Sequence, residues 1–219
     1  SDVAVVAVTW GEGFSKLFQE LGCDSVIKCG PTMNPSTAEI LKVVESTKAS
    51  QVILLTNNPN VIPAAKQAVS LSTNKTLHLV PSRILTQGIS ALLSYNPEEK
   101  LETNLSEMST ALNSLRTIQI TTADRSTTKG NLKINQGQFI ALLEEDLISV
   151  GDDIIALLSK AIAMIAPPSG SMITLYRGSK VEESEAHQAA NAIRSTAPGV
   201  DVEIVVGGQP HYHYIVSVE

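Results

Sequence analysis

Cys29-Gly30-Pro31-Thr32-Met33-Asn34-Pro35-Ser36-Thr37-Ala38-Glu39 decides how the first half of this chain is read. Asp24–Cys29 is an apolar run of strand type, and the residues after Glu39 keep the spacing of an amphipathic helix. The loop between them carries helix-start chemistry. Pro35 suits a first helical position, where its missing N–H is one the helix has no use for, and Asn34 is then the N-cap. Ser36 and Glu39 stand at capping-box spacing and offer a second frame for the same start. A loop leaving a strand and entering an exposed helix N-terminus with spare hydroxyls also has the donors to hold an anion or a carboxylate.

Outward from this segment the pattern repeats. Val3–Val8, Ser25–Cys29, Gln51–Thr56 and Thr76–Val80 are nearly all apolar, as strands covered on both faces require. Between them the spacing predicts helices over Phe14–Leu21, Ser36–Thr47, Val61–Ser70 and Leu85–Leu93, with Gly22 as the C′ residue of the first. Alternating strands and helices imply a parallel sheet in an α/β fold. Asn96-Pro97-Glu98-Glu99 opens a further helix, predicted from Glu98 to about Leu115, with Leu101, Leu105, Met108 and Leu112 on one face.

The second half alternates differently. Arg116–Ala123, Leu132–Ile134, Gln138–Leu143 and Leu147–Val150 mix polar and apolar residues between turn signals, which predicts an antiparallel meander. Asp152–Ile165 follows as a helix, then Ser171–Tyr176 as a strand, Glu182–Ser195 as a helix, and Val200–Val206 and Tyr212–Val218 as strands. The expected organisation is therefore a parallel α/β subdomain over residues 1–115 and a mixed α+β subdomain with an antiparallel meander over 116–219.

Composition narrows the function classes. The chain has 219 residues, 43% of them hydrophobic, and a formal net charge of −6. No basic stripe exists to neutralise phosphates, which argues against nucleic acid. The longest apolar stretch, Ile154–Ala166, is interrupted by Ser159 and Lys160 and is too short to span a bilayer. Cys23 and Cys29 form neither a disulfide framework nor a CxxC pair, and reduced cysteines in a cytoplasmic protein are expected. Val3–Val8 is a core strand with no signal peptide or initiator Met before it, as expected of a segment cut from a longer protein.

Catalytic chemistry is thinly represented. Trp10-Gly11-Glu12-Gly13-Phe14 follows the first strand, yet Lys16 stands where a dinucleotide loop needs its third glycine and Glu12 opposes a pyrophosphate. There is no GxxxxGK[ST], no GxSxG, and no acidic cluster suited to Mg²⁺. His78 lies in an apolar run and reads as a satisfied, partly buried histidine, and His187 as a solvated one. His211 and His213 would face one way on a strand, but no third metal ligand accompanies them. No catalytic residue and no metal ligand is therefore expected. Three strand ends open into polar loops: Thr32–Ser36, Thr56–Asn60 and Pro81–Arg83. Ligand sites of open α/β sheets lie outside the carboxyl ends of the strands, so these loops share a rim. Thr32, Asn34, Ser36, Thr37, Asn57, Asn58, Ser82, Arg83 and Gln87 are the binding candidates there, and Gln209 and His211 are further candidates near the end of the chain. None is an acid or base with a tuned partner, which favours recognition over catalysis.

Gly30-Pro31-Thr32-Met33-Asn34-Pro35-Ser36-Thr37, Thr56-Asn57-Asn58 with Ala64-Ala65, and Val80-Pro81-Ser82 with Gln87-Gly88-Ile89-Ser90-Ala91-Leu92-Leu93 occur in the order of a known family. With the ending Gly207-Gly208-Gln209-Pro210-His211-Tyr212-His213-Tyr214-Ile215-Val216-Ser217-Val218-Glu219, the chain resembles the C-terminal region of the bacterial fatty acid kinase A subunit, of the dihydroxyacetone-kinase-like (DAK2) family. The resemblance implies a DegV-like fold and a domain that is not an enzyme on its own. It implies docking of a DegV-like fatty-acid-binding partner, whose bound fatty acid is phosphorylated to an acyl phosphate for phospholipid synthesis. ATP and Mg²⁺ would belong to another domain of the full-length chain, and this domain would carry no cofactor. In the DegV-like partners a Thr-Ser-Gln-Pro-Ser type loop grips the fatty acid carboxylate. Thr32, Pro35 and Ser36 keep that pattern here, whereas Met33 replaces a small hydroxyl residue, and neither His211 nor His213 cleanly matches the partners' late histidine. A fatty acid or small carboxylate bound by this domain itself is the alternative, with an enzyme of dihydroxyacetone kinase type as a weaker third.

Overall fold

The computed structural model describes residues 2–219, and the chain divides into two units, Ser1–Leu115 and Arg116–Glu219. In the first unit the strands β1 (Val3–Thr9), β2 (Ser25–Lys28), β3 (Gln51–Leu55) and β4 (Thr76–Val80) form an all-parallel sheet in the order β2-β1-β3-β4. Val5, Val6, Ala7, Val8 and Val52–Leu55 have no solvent exposure, as strands covered on both faces must. The helices are α1 (Glu12–Glu20), α2 (Thr37–Ser46), α3 (Ile62–Leu71), α4 (Leu85–Leu93) and α5 (Leu101–Ala111), with a 3-10 turn at Pro59–Val61.

Local chemistry sets the ends of these elements. Gly22, at φ 100°, follows α1; its N–H bonds Gln19 and the Cys23 N–H bonds Phe18, which satisfies two carbonyls that the helix leaves open. The expected helix from Glu98 begins instead at Leu101. Asn96 holds the preceding residues in a turn, its Oδ1 accepting the Glu98 N–H at 3.0 Å and its carbonyl accepting that of Glu99. The Asn104 amide, 2% exposed, bonds both backbone groups of Asn96 at 2.7 and 2.8 Å and locks this turn onto α5. His78 is half-buried with its Nε2 3.1 Å from Gln51 Oε1, a satisfied core-edge histidine.

The second unit is a mixed six-stranded sheet in the order β11-β10-β12-β5-β8-β9, from β5 (Arg116–Thr122), β8 (Phe139–Leu143), β9 (Asp146–Gly151), β10 (Met172–Arg177), β11 (Asp201–Val206) and β12 (Tyr212–Val218). β5, β8 and β9 form the antiparallel meander. Leu132–Ile134 is not part of it: as β7 it pairs with β6 (Thr127–Lys129) in a separate hairpin, an excursion between β5 and β8. Helices α6 (Ile154–Ile165) and α7 (Glu183–Thr196) pack on the sheet through Leu158, Ile162, Ala190 and Ile193, all fully buried against Ile118, Ile120, Leu175 and Val216. Among the described residues no helix is long and apolar enough to cross a membrane.

Gly88 tests how tightly the first unit is built. A Cβ there would stand 1.9 Å from Asn57 Oδ1, whereas one at Gly30 meets nothing within 4 Å. Alanine in mid-helix gains about 1 kcal/mol of propensity over glycine. A contact that close with a fully buried side chain overrides that gain. In urea unfolding, Gly88→Ala should destabilise by more than about 2 kcal/mol while Gly30→Ala stays within about 0.5 kcal/mol. Equal midpoints for the two variants would contradict this packing.

Candidate functional site

The carboxyl ends of the parallel strands deliver four loops to one rim of the first unit, where a ligand of an open α/β sheet would lie. The loop after β2 enters α2 by the capping-box frame. Ser36, not Asn34, is the N-cap: its Oγ accepts the Glu39 N–H at 3.1 Å, and its N–H donates to Glu39 Oε2 at 2.6 Å. Pro35 thus precedes the cap, and Asn34 lies in the exposed loop. The reciprocal frame wins because Glu39 satisfies a donor that an Asn34 cap would leave open. Hydrogen bonds from the Ser36 N–H and then its hydroxyl hold the Glu39 carboxyl below its ordinary value. A depressed carboxyl pKa favours the folded state above the usual Glu range, and that contribution fades as pH falls through the lowered value. Met33 occupies the left-handed region at φ 50°.

The loops after β3 and β4 are tied to each other from inside. Asn57 is fully buried at φ 57°. Its Nδ2 donates to the Val8 carbonyl of β1 at 2.9 Å, its N–H donates to Ser82 Oγ at 2.9 Å, and the Ser82 hydroxyl donates to Asn57 Oδ1 at 2.8 Å. Thr56 Oγ1 donates to the Ser82 carbonyl at 2.7 Å. Asn57 and Ser82 therefore do not present an amide and a hydroxyl to a ligand, as their loop positions suggested. Asn58 is 8% exposed and its Oδ1 caps the turn at the Asn60 N–H.

The remaining candidates separate. Thr32 and Asn34 line a cleft of about 400 Å³ beside edge strand β2, with Lys28, Cys29, Lys42 and Val43. Thr37 Oγ1 turns to Gln67 Oε1 of α3 at 2.8 Å. Gln87 Oε1 accepts the Arg83 N–H at 2.8 Å, leaving the exposed Arg83 side chain at the rim. Sequence reasoning missed Trp10, which follows β1 at 4% exposure with its Nε1 buried and unpartnered among the described residues. Its place beside the glycine loop was the available signal.

In the second unit Gln209 is 1% exposed, and its Nε2 donates to the Tyr176 carbonyl at 3.0 Å. His211 and His213 do not form the expected pair on one strand face. His211 precedes β12 in the left-handed region at φ 66°, and His213 sits at a register shift with Nε2 2.8 Å from Thr122 Oγ1. Among the described residues no group of three or more His, Cys, Asp or Glu could hold a metal ion.

Residues 4–219 match the family of fatty acid kinase A-subunit-like C-terminal domains, and the chain belongs to that family. A Staphylococcus aureus (strain USA300) protein is 32% identical over 218 residues, covering all of this chain and 40% of that protein, so the chain spans about two fifths of its relative. A DegV family protein from Corynebacterium glutamicum superposes with a TM-score of 0.68 at 11% identity, over 99% of this chain and 96% of that one. The Streptococcus pneumoniae fatty acid kinase B3 protein, solved loaded with linoleic acid, gives 0.61 at 10% identity over 98% of each chain. The fold is DegV-like.

The cleft contains a thiol without nucleophilic character. Burial, and then the Glu39 charge, push Cys29 up to about 11, and burial pushes Cys23 up to about 12. Iodoacetamide should label Cys29 slowly at pH 7, with the rate rising about tenfold per pH unit to pH 10, as the thiolate fraction does. Mass spectrometry of timed samples reads this, and fast labelling at pH 7 would show an activated thiol instead.

Proposed function

We propose that this domain of the fatty acid kinase A-subunit-like family is a recognition module. It docks a DegV-like fatty-acid-binding protein so that the partner's bound fatty acid is phosphorylated elsewhere on the full-length chain, where ATP and Mg²⁺ would bind. The product would be an acyl phosphate for phospholipid synthesis, in the cytoplasm, and the domain itself would carry no catalytic residue and no cofactor.

The observation that carries this reading is the position of Glu39. In the DegV-like resemblance the Thr32–Ser36 loop is the one that grips a fatty acid carboxylate. Here both donors of Ser36 serve the Glu39 carboxyl, which stands ionised at the helix N-terminus. A second carboxylate would meet like charge in the place where it needs donors. Met33 supplies no hydroxyl in compensation. The acyl-carrying architecture thus persists with its grip filled by the chain's own side chain, which suits a surface that receives a loaded partner.

A second reading rests on the cleft beside β2. Lys28 and Lys42 outnumber Glu39 among its charged residues, in a chain of net charge −6, and Val26, Ile27 and Val43 add apolar wall. Those features suit a fatty acid or small carboxylate bound by the domain itself.

Calorimetric titration with a fatty-acid-loaded DegV-like protein separates the two. Docking predicts a dissociation constant in the micromolar range, about −8 kcal/mol. It also predicts no acyl adduct on this domain in native mass spectra after incubation with oleate. Absence of heat at protein concentrations of about 10 µM or more would defeat the docking reading. An oleate adduct abolished by Lys42→Ala would establish the second.

A further inference from the structure

A second cleft, of about 440 Å³, lies wholly within the second unit and plays no part in the docking reading. The volume is in the range of small-molecule sites, roughly 300–1,000 Å³. It opens where β10 ends and α6 and α7 begin, so two helix N-termini face it. Its floor is apolar: Phe139, Ile154, Ile155 and Val181.

A β-bulge contributes two of the lining residues. Tyr212 pairs with Thr121 and Tyr214 with Ile120, so His213 is an extra residue against β5. A bulge of this kind turns two successive side chains toward one side, and His213 and Tyr214 both line the cleft. Phe139 meets the His213 ring edge-on at 5.4 Å and Thr122 holds its Nε2, which fixes the imidazole. Gly178 closes the backbone behind them: its N–H donates to the His213 carbonyl at 2.8 Å, and a Cβ there would stand 2.3 Å from the Tyr212 carbonyl oxygen.

Tyr214 is the observation that points to a ligand. The residue is 1% exposed, and its hydroxyl has no hydrogen-bond partner among the described residues. Burial first, and then the charge of Glu185, push it up to about 12, so it is a neutral donor at any ordinary pH. Burial and then Lys180 hold His213 below its usual value, leaving a neutral imidazole beside a cation.

The charges around that hydroxyl have both signs. Lys180 makes no ion pair or hydrogen bond among the described residues and offers its ammonium at the rim. Asp152, Asp153 and Glu185 supply carboxylates, each with one oxygen engaged: by Gln138 Nε2, by the Ala156 N–H and by the Glu182 N–H. A simple anion would meet three carboxylates, and a simple cation would meet Lys180 and two positive helix ends. A molecule carrying both charges on one carbon satisfies both sets.

We infer that this cleft binds a free L-amino acid with an apolar side chain. Its carboxylate lies toward Lys180 and the Tyr214 hydroxyl, its ammonium toward Glu185 and the aspartates, and its side chain on the Phe139–Ile154–Val181 floor. The hydroxyl of Tyr214, on a residue 1% exposed at the cleft wall, is the neutral donor the site offers that carboxylate.

Calorimetric titration of the 219-residue chain with L-leucine, L-methionine and L-phenylalanine tests this, with N-acetyl-L-leucine and L-leucinamide as probes lacking one charge each. At least one free amino acid should bind, and both blocked forms should bind at least about tenfold more weakly. Tyr214→Phe keeps the ring and should weaken binding about 3- to 10-fold, the worth of one hydrogen bond. Lys180→Ala, at an exposed position, should weaken it without moving the unfolding midpoint, which keeps the test valid should Tyr214→Phe fold poorly. The inference is overturned if none of the three amino acids binds at millimolar concentration, if a blocked form binds as well as leucine, or if Lys180→Ala leaves affinity unchanged.

Discussion

The amide of Asn57 is buried between three strands, and the first unit is arranged around satisfying it. An unsatisfied buried amide group costs about 1–3 kcal/mol, and a left-handed backbone at a residue other than glycine costs about as much again. Both costs are met by bonds that tie β1 at Val8 to Asn57 in the loop after β3 and through it to Ser82 in the loop after β4. Helix α4 must approach closely to cover the amide, and only glycine at position 88 allows it. The ends of three parallel strands are thereby fixed to one another, and the rim loops grow from fixed points.

That constraint decides what the rim can do. Asn57 and Ser82, which look available in the loops, are engaged below the surface, so the rim offers shape and a few exposed side chains, and its one carboxyl tuned by a partner, Glu39, is spent on the helix cap. The N-terminus of α2, the usual place for an anion in such a fold, is closed by Glu39. A stiff surface loses little ordering entropy on contact with a preformed partner.

The alternation of strands and helices was legible because burial on both faces of a parallel sheet leaves long apolar runs that no other element in a chain of this length would need. The small-residue sequence around Ser36 was legible as a helix start, but it held two frames. Glu39 chose between them by satisfying the Ser36 N–H, a donor the Asn34 frame leaves unpaired. Asn57 and Ser82 were misread as surface groups because their partners lie 25 to 49 positions away, and Asn-Asn-Pro looks the same in sequence whether it faces water or Val8. Asn104 was hidden for the same reason: a polar residue within an amphipathic helix reads as solvated until the turn at Asn96 is folded against it. The bulge at His213 leaves no mark in an alternating His-Tyr-His-Tyr run, since one inserted residue changes the facing of its neighbours without changing their identity.

One electrostatic habit runs through both units. The N-termini of α2, α6 and α7 are capped by the chain's own carboxylates, through Glu39, Asp153 and the Glu182–Glu185 pair. Each cap stabilises its helix and places a fixed negative charge where a free anion would otherwise bind. At the Ser36 cap of the first unit both donors already serve Glu39, so a further carboxylate there meets like charge. In the second unit the same habit leaves carboxylates beside an unpaired Lys180 and a buried tyrosine hydroxyl, a field in which a lone anion is repelled and a zwitterion brings the ammonium that the carboxylates lack. On the docking and amino-acid proposals, the same capping chemistry disfavours a further anion at the Ser36 cap and favours a zwitterion in the second cleft, and the difference is set by whether an unpaired donor is left over once the cap is made.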